Sequence, residues 1–329
     1  MTEAEEANIT RWDGSAGHYE VYYLKFNHVQ TATGFWIRYT LLAPLNGSPI
    51  AELWAVFFDA NEPANNKAVK NTYPVSQATV KKDTFSFRIG GALLTQNSAN
   101  GTVTGSGGSI TWKLTVDPVI GLFRHFPAAW MYRTPFPKTK VVSPNFNVKV
   151  YGTVEVDGST YVCNGEPGQQ THLWGTRHAD QWTWANAGIF REDSTAIFEG
   201  LSARIRIGSL LSPALNLFFL RCLGKDYYLN SPLSMFRNSG DSALPVWRFR
   251  SQYRGVRLSG EISAPLESFV GVEYVDPDGG KLWCYNTEVA SLVLEIEGLR
   301  DKQIRLTSPG FSALEFASRS RDPRIRIRI

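Results

Sequence analysis

The stretch NFNVKVYGTVEVDG, from Asn145 to Gly158, places Phe146, Val148, Val150, Val154 and Val156 on one alternating register and stops at Asp157-Gly158. Side chains of a strand alternate between its two faces, so a period of two marks a strand with one face in a core. Asp followed by Gly supplies the backbone that a tight hairpin turn needs. The same period recurs outward along the chain. TFSFRIG aligns Phe85, Phe87 and Ile89. SITWKLTV sets Ile110, Trp112, Leu114 and Val116 against Thr111, Lys113 and Thr115. ASLVLEIEG aligns Leu292, Leu294 and Ile296, and GVEYVDPDGGKLWCYN reads as two strands around a turn from Asp276 to Gly280. After a break at Ser212-Pro213, ALNLFFLRCLG reads as a strand buried on both faces. Only TEAEEAN at the start and SALEFAS near Leu314 suggest short helical turns. The fold class expected is all-β.

A chain of 329 residues holds one large domain or two ordinary ones. Hydrophobic residues are 43% and charged residues 19%, which fills a core and excludes a disordered chain. The 10 Trp, 13 Tyr and 19 Phe favour strands. Net charge is +4, with much of the excess in Arg319, Arg321, Arg324, Arg326 and Arg328. No basic stripe falls inside the body of the chain, which argues against a nucleic-acid partner. Cys163, Cys222 and Cys284 form no CxxC pair and suggest neither a zinc site nor a disulfide framework. MTEAEEANIT lacks the apolar centre of a secretory signal, and no apolar run reaches about 18 residues. The expectation is a cytoplasmic protein; oligomeric state is not legible. The tail RIRIRI reads as an edge strand, a frayed terminus or a peripheral contact with an anionic membrane.

The run RTPFPKTKVVSPN, Arg133 to Asn145, is the expected connector between sheets, because Pro135, Pro137 and Pro144 cannot donate ladder hydrogen bonds. It divides the chain into residues 1–140 and 141–329. Each half is long enough for a barrel of roughly eight to ten strands, about the size that leaves a ligand cavity.

The segment HLWGTRHADQWTWAN, His172 to Asn186, gathers two His, three Trp, an Arg and an Asp. Indoles bury large apolar area yet carry an N–H that wants a partner, and His exchanges protons near neutral pH. Such a segment closes a demanding core or lines a pocket for an apolar guest. Its pattern, His-x-Trp-Gly, a second His, then Trp-x-Trp-Ala, resembles the tocopherol cyclase and acyclic carotenoid 1,2-hydratase (hydroxyneurosporene synthase) group, to which lipocalin-like pericyclases are related. GHYEVYYLKF with TGFWIRYTLLAP, then AELWAVFFD, SPNFNVKVYGTVEVDGSTY and LWCYNTEVASLVLEI, are similar to that group's segments in order. The resemblance implies two tandem lipocalin-like (calycin) antiparallel β-barrels, the second carrying the His-x-Trp segment, with ligand space inside the barrels or at their junction. It implies chemistry on lipophilic polyenes, chromanol precursors or polyketides, without metal or other cofactor. It carries a catalytic role to His172 and Trp174. The hydratases' Tyr and Asp on the following strand correspond here to Phe198 and Glu199, so the acidic function passes to Glu199 and the Tyr is missing.

Adding a proton to an alkene carbon requires an acid held dry, and a carboxyl in an apolar site stays protonated because burial disfavours its charge. The carbocation that follows is stabilised by aromatic faces. Trp174, Trp182 and Trp184 fit that role by type; Asp180 and Glu199 are candidate acids; His172 or His178 can orient an acid or carry the proton, and Arg177 can hold a carboxylate. The plainer reading stands beside this one. Trp182 and Trp184 share a strand face and suit core packing, His172 and Trp174 suit pocket or core equally, and Arg177 and His178 suit a surface turn. Glu20 is expected to bridge to Arg38 on the next strand, since buried carboxylates need partners. His28 and His125 show no partner pattern. The expected function is hydration or cyclisation of a hydrophobic small molecule; a non-catalytic lipid carrier is the alternative, and a sugar-binding sandwich with exposed Trp platforms is a third.

Overall fold

When both faces of a strand are covered, alternation in hydrophobicity disappears. HYEVYYLKFNH, the strand His18–His28, is such a case. Tyr22, Leu24 and Phe26 enter one core while Tyr19, Val21 and Tyr23 enter another. The computed structural model describes residues 2–329 except 82, 236, 254, 300 and 301. The described residues form two large antiparallel sheets, of 12 and 10 strands, and a separate two-stranded ribbon. The all-β expectation of two tandem antiparallel barrels is met.

The first sheet runs from Lys67–Pro74 through Ile50–Asp59, Thr33–Ala43, His18–His28, Ser159–Gly175, Thr139–Val156 and Gly108–Ile120 to Ser98–Gly105 and three short strands beyond. It curls until Lys67–Pro74 meets Ser98–Gly105. The Asn71 amide donates to the Thr104 carbonyl at 3.0 Å and accepts from the Thr104 N–H at 3.3 Å. The turn GSGGS, residues 105–109, lies against the same edge, where a Cβ on Gly107 would collide with the Ala68 carbonyl oxygen. Phe26, Phe35, Tyr39, Phe87 and Trp112 fill the interior. The second sheet runs from Lys225–Leu229 through Leu215–Cys222, Ile197–Arg204, Gln181–Ala187, Lys302–Ser318 and Lys281–Leu299 to Val256–Ser263, Val246–Tyr253 and Ser239–Ala243. Its curl is held by Asn238, which donates to the carbonyls of Asn216 and Leu229. Phe198, Phe218, Trp247 and Phe249 fill its interior. A third apolar layer joins the barrels: Tyr19, Tyr23, Trp36 and Trp54 from the first meet Trp184, Val272, Tyr274 and Cys284 from the second.

Several expectations change. The sheets do not divide at 140/141. The Pro-rich run enters the strand Thr139–Val156, which pairs with Ser159–Gly175 inside the first sheet, and Pro144 sits where the register shifts between Val142 and Asn145. A bulge tolerates the missing N–H. The sheets therefore part between Gly175 and Gln181, and His172 and Trp174 belong to the first barrel. TEAEEAN does form a helix, Glu3–Asn8, capped reciprocally by Thr2 and Glu5. SALEFAS is part of the strand Lys302–Ser318. The RIRIRI tail is neither frayed nor free: Ile325 is buried, and residues 327–329 lie beside the strand Val270–Val275.

Candidate functional site

Strand parity decides which polar side chains meet. On His18–His28, Lys25 shares the outward face of Tyr23, toward the second barrel. On Ser159–Gly175, Gln169 faces the same way and is the register partner of Lys25. On Gln181–Ala187, Trp182, Trp184 and Asn186 alternate toward the first barrel, while Ala185 and Ala187 enter the second barrel's core. Glu199 lies directly across from Asn186. These positions converge on one buried carboxylate. Glu199 Oε1 accepts from Trp184 Nε1 at 2.7 Å and meets His125 Nε2 at 2.7 Å. Its Oε2 accepts from Asn186 Nδ2 at 2.8 Å and Gln169 Nε2 at 3.1 Å. With His125 Nε2 engaged by Glu199, Nδ1 is the ring nitrogen left for another partner. That Nδ1 is buried with no partner among the described residues. Phe123, Phe146, Ile197 and Phe219 form an apolar wall beside the pair. A cavity of about 10 Å³, roughly one water, opens next to it between Lys25, Asn27, Phe146, Asn186 and Ile197.

The same layer holds a second carboxyl in contrasting surroundings. Glu288 is fully buried, and neither of its oxygens has a hydrogen-bond partner among the described residues. Lys25 Nζ stands 4.0 Å away, and Asn27 is bonded to the Glu288 backbone carbonyl. Burial pushes the Glu288 carboxyl up to about 8, with Lys25 opposing and Glu315 adding to the rise. Burial lowers Lys25 in turn. Neighbouring Asn286 also has both amide atoms unpartnered among the described residues. Glu315, raised by burial, accepts from Trp182 Nε1 at 3.0 Å.

His172 and Trp174 lie elsewhere. They share the inward face of the first barrel, at the end closed by the helix Glu3–Asn8. His172 Nδ1 meets the Ala7 carbonyl at 2.7 Å and Nε2 meets Glu20 at 2.8 Å; its ring stacks on Tyr22 and lies 4.7 Å from Trp174. Burial works against ionisation of Glu20, but hydrogen bonds from His172 and His18 prevail and hold it well below the usual carboxylate range. Glu20 also binds Thr10, the backbone of Arg11 and Trp12, and Tyr22. The expected Glu20–Arg38 bridge is absent because the two point to opposite faces of the sheet. Arg38 stacks on Trp54 and Tyr274 between the barrels. Parity likewise separates His172 from Glu199.

The remaining expected residues form a third group between the barrels. His178 bonds Asp276 through Nδ1 at 2.7 Å, and its ring stacks on Tyr19 at 4.1 Å. Burial lowers its pKa despite Asp276, which is itself held ionised by His178 and Arg319. Trp182 lies parallel to Tyr274 in the same stack. Arg177 is half-exposed and pairs with Asp278 at 3.1 Å, and Asp180 pairs with Arg206. Neither holds Glu199. Trp182 and Trp184 face the other barrel, unlike sugar platforms in an open groove.

A family model described as tocopherol cyclase-like matches residues 64–316, across both barrels. The chain belongs to the tocopherol cyclase-like family. An uncharacterised protein of Mycobacterium tuberculosis, recorded in strains CDC 1551 / Oshkosh and ATCC 25618 / H37Rv, is 27% identical over 296 residues, covering 90% of this chain and 86% of the relative. The crystal structure of a Nitrosomonas europaea protein described as an AttH superposes with a TM-score of 0.51 at 11% identity, covering 92% of this chain and 91% of that one. That likeness is one of fold. Kievitone hydratase from Nectria haematococca superposes with a TM-score of 0.49 at 9% identity, covering 97% and 93%.

His125 and Glu288 carry the most distinctive chemistry between the barrels, and neither stood out in the sequence. His125 sits in LFRHFP, a connector without period. Glu288 sits in a strand where an isolated acid reads as solvent-facing.

Proposed function

We propose that this member of the tocopherol cyclase-like family is an enzyme that protonates a carbon–carbon double bond of a lipophilic isoprenoid, carotenoid or polyketide-like molecule and so hydrates or cyclises it. The observation that carries the reading is a pair of buried carboxyls with opposite surroundings, one held by four hydrogen bonds and the other by none among the described residues. Glu288 keeps its proton at neutral pH and has no protein partner for it among the described residues, as an acid for carbon requires. Glu199 is held by four hydrogen bonds beside Trp184. Glu288 gives its proton to one alkene carbon, and the cation forms on the other. Trp184 and the phenylalanine wall stabilise it through their ring faces. A water oxygen, or a hydroxyl of the substrate itself, adds to the cation and passes its proton to His125 Nδ1, whose imidazolium is held by Glu199. Return of that proton to Glu288 completes the cycle. His172 and Trp174 act in this scheme by tying the N-terminal segment over the first barrel.

A carrier is the second reading, favoured by the complete pairing of Glu199 with protein groups. Native mass spectrometry of the protein purified from its own host separates the two, using wild type, His125→Ala and Glu288→Gln. Wild type is expected to hold a hydrated or cyclised product, and both variants its precursor. The same bound mass in all three leaves the carrier. No bound lipophile in any form removes both.

A further inference from the structure

Beyond Arg204 the chain leaves the second barrel as a hairpin that belongs to neither sheet. Arg206–Ile207 pairs with Leu210–Leu211 around Gly208 and Ser209 as a ribbon of its own. Its tip presents Ile207 at 63% and Leu210 at 75% exposure, and the chain re-enters the barrel at Leu215, 40% exposed. Leu233, 70% exposed, sits on a short helix packed against the strand that Leu215 begins. Single exposed apolar residues are ordinary, but a projecting group of them marks an interaction site.

The charges around the tip say what it meets. Arg204 leads into the hairpin and Arg206 is part of it, and both are exposed. Asp180 is buried and already held by the Arg206 side chain and backbone. Arg204 has no ion-pair partner among the described residues, so its charge leaves the base of the hairpin net positive. A second copy docked symmetrically on this face would set the same arginines against each other. The interface of an anionic bilayer accepts the leucines at the acyl boundary and the guanidinium groups at the phosphates.

We propose that the hairpin 206–211 is a membrane-docking element that seats the protein on anionic lipid through Ile207, Leu210 and the adjoining arginines. It rests on a different observation from the catalytic reading and stands without it.

Flotation with phosphatidylcholine vesicles, with and without phosphatidylglycerol, tests it. Wild type is expected to float with the phosphatidylglycerol vesicles and to be released by salt. An Ile207→Asn/Leu210→Asn double variant, with unchanged thermal melting, is expected to bind about ten-fold less. A Leu210→Trp variant is expected to gain a blue-shifted emission component that brominated lipid chains quench. Three results would overturn the assignment: no flotation of wild type on either vesicle, equal flotation of the double variant, or concentration-dependent dimerisation that the double variant abolishes.

Discussion

Glu199 and Glu288 are both buried between the barrels, and what separates them is the count of donors around each. Four protein donors surround Glu199, whereas Glu288 has one cation at 4.0 Å and, among the described residues, no hydrogen bond. The consequence for stability has a definite sign. The Glu288 carboxyl titrates at about 8 when folded against a reference of 4.5. Between those values the folded chain holds a proton that the unfolded chain has lost. Its stabilising contribution is thus complete below about 4.5, falls as pH rises, and is gone above about 8. Glu288→Gln has no such titration. Its stability is expected to match wild type near pH 4.5 and to exceed it by a few kcal/mol at pH 9, at roughly 1.4 kcal/mol for each pH unit between the folded and unfolded values. Urea unfolding of both proteins across that range measures the gap, and parallel profiles would refute the protonated state. Neither this residue nor His125 was legible in the sequence, because each takes its character from a partner barrel that no local pattern announces. His172, Trp174, Trp182 and Trp184 were conspicuous by type, yet only strand parity and register distribute them among three clusters.

Among the elements, strands with one covered face were readable and strands with two were not. NFNVKVYGTVEVDG and SITWKLTV alternate because their outer faces carry polar residues. HYEVYYLKFNH does not, because aromatic layers lie on both sides. Proline misled at Arg133–Asn145 because a bulge absorbed Pro144 within a long strand. The glycine turn at residues 105–109 has a tertiary reason: the first barrel closes there against Ala68. Gly107→Ala is therefore expected to lose about 1–3 kcal/mol, as overpacking against backbone does. Gly121→Ala, with nothing within 4 Å of its added Cβ, is expected to stay within about 0.5 kcal/mol of wild type. Urea midpoints compare the two, and equal losses would show that the approach at Ala68 is not what demands glycine.

For the molecule as a whole, the layer between the barrels joins an apolar cluster of both barrels to buried polar groups such as Lys25 and Glu288. Trp36 and Trp54 cluster there with residues of the second barrel, and Trp54 packs against Tyr274. Separating the barrels exposes these indoles to water and strands Lys25 and Glu288 without each other. The barrels are therefore expected to unfold in one calorimetric transition, with the van't Hoff enthalpy equal to the calorimetric one. Two resolved transitions would mean that the layer contributes little. Fragments discriminate further. Residues 1–140 lack the strands Thr139–Val156 and Ser159–Gly175, which lie in the middle of the first sheet between His18–His28 and Gly108–Ile120. A sheet interrupted there leaves two open edges and an uncovered core, so this fragment is expected to show no cooperative unfolding. Residues 1–178 keep the complete first sheet and are expected to retain strand circular dichroism but to self-associate through the exposed Trp36–Trp54 face. Cooperative folding of residues 1–140 alone would overturn the placement of those two strands. A soluble, monomeric 1–178 would mean instead that the first barrel can cover its own outer face, and the layer between the barrels would then be a docking surface rather than a shared core.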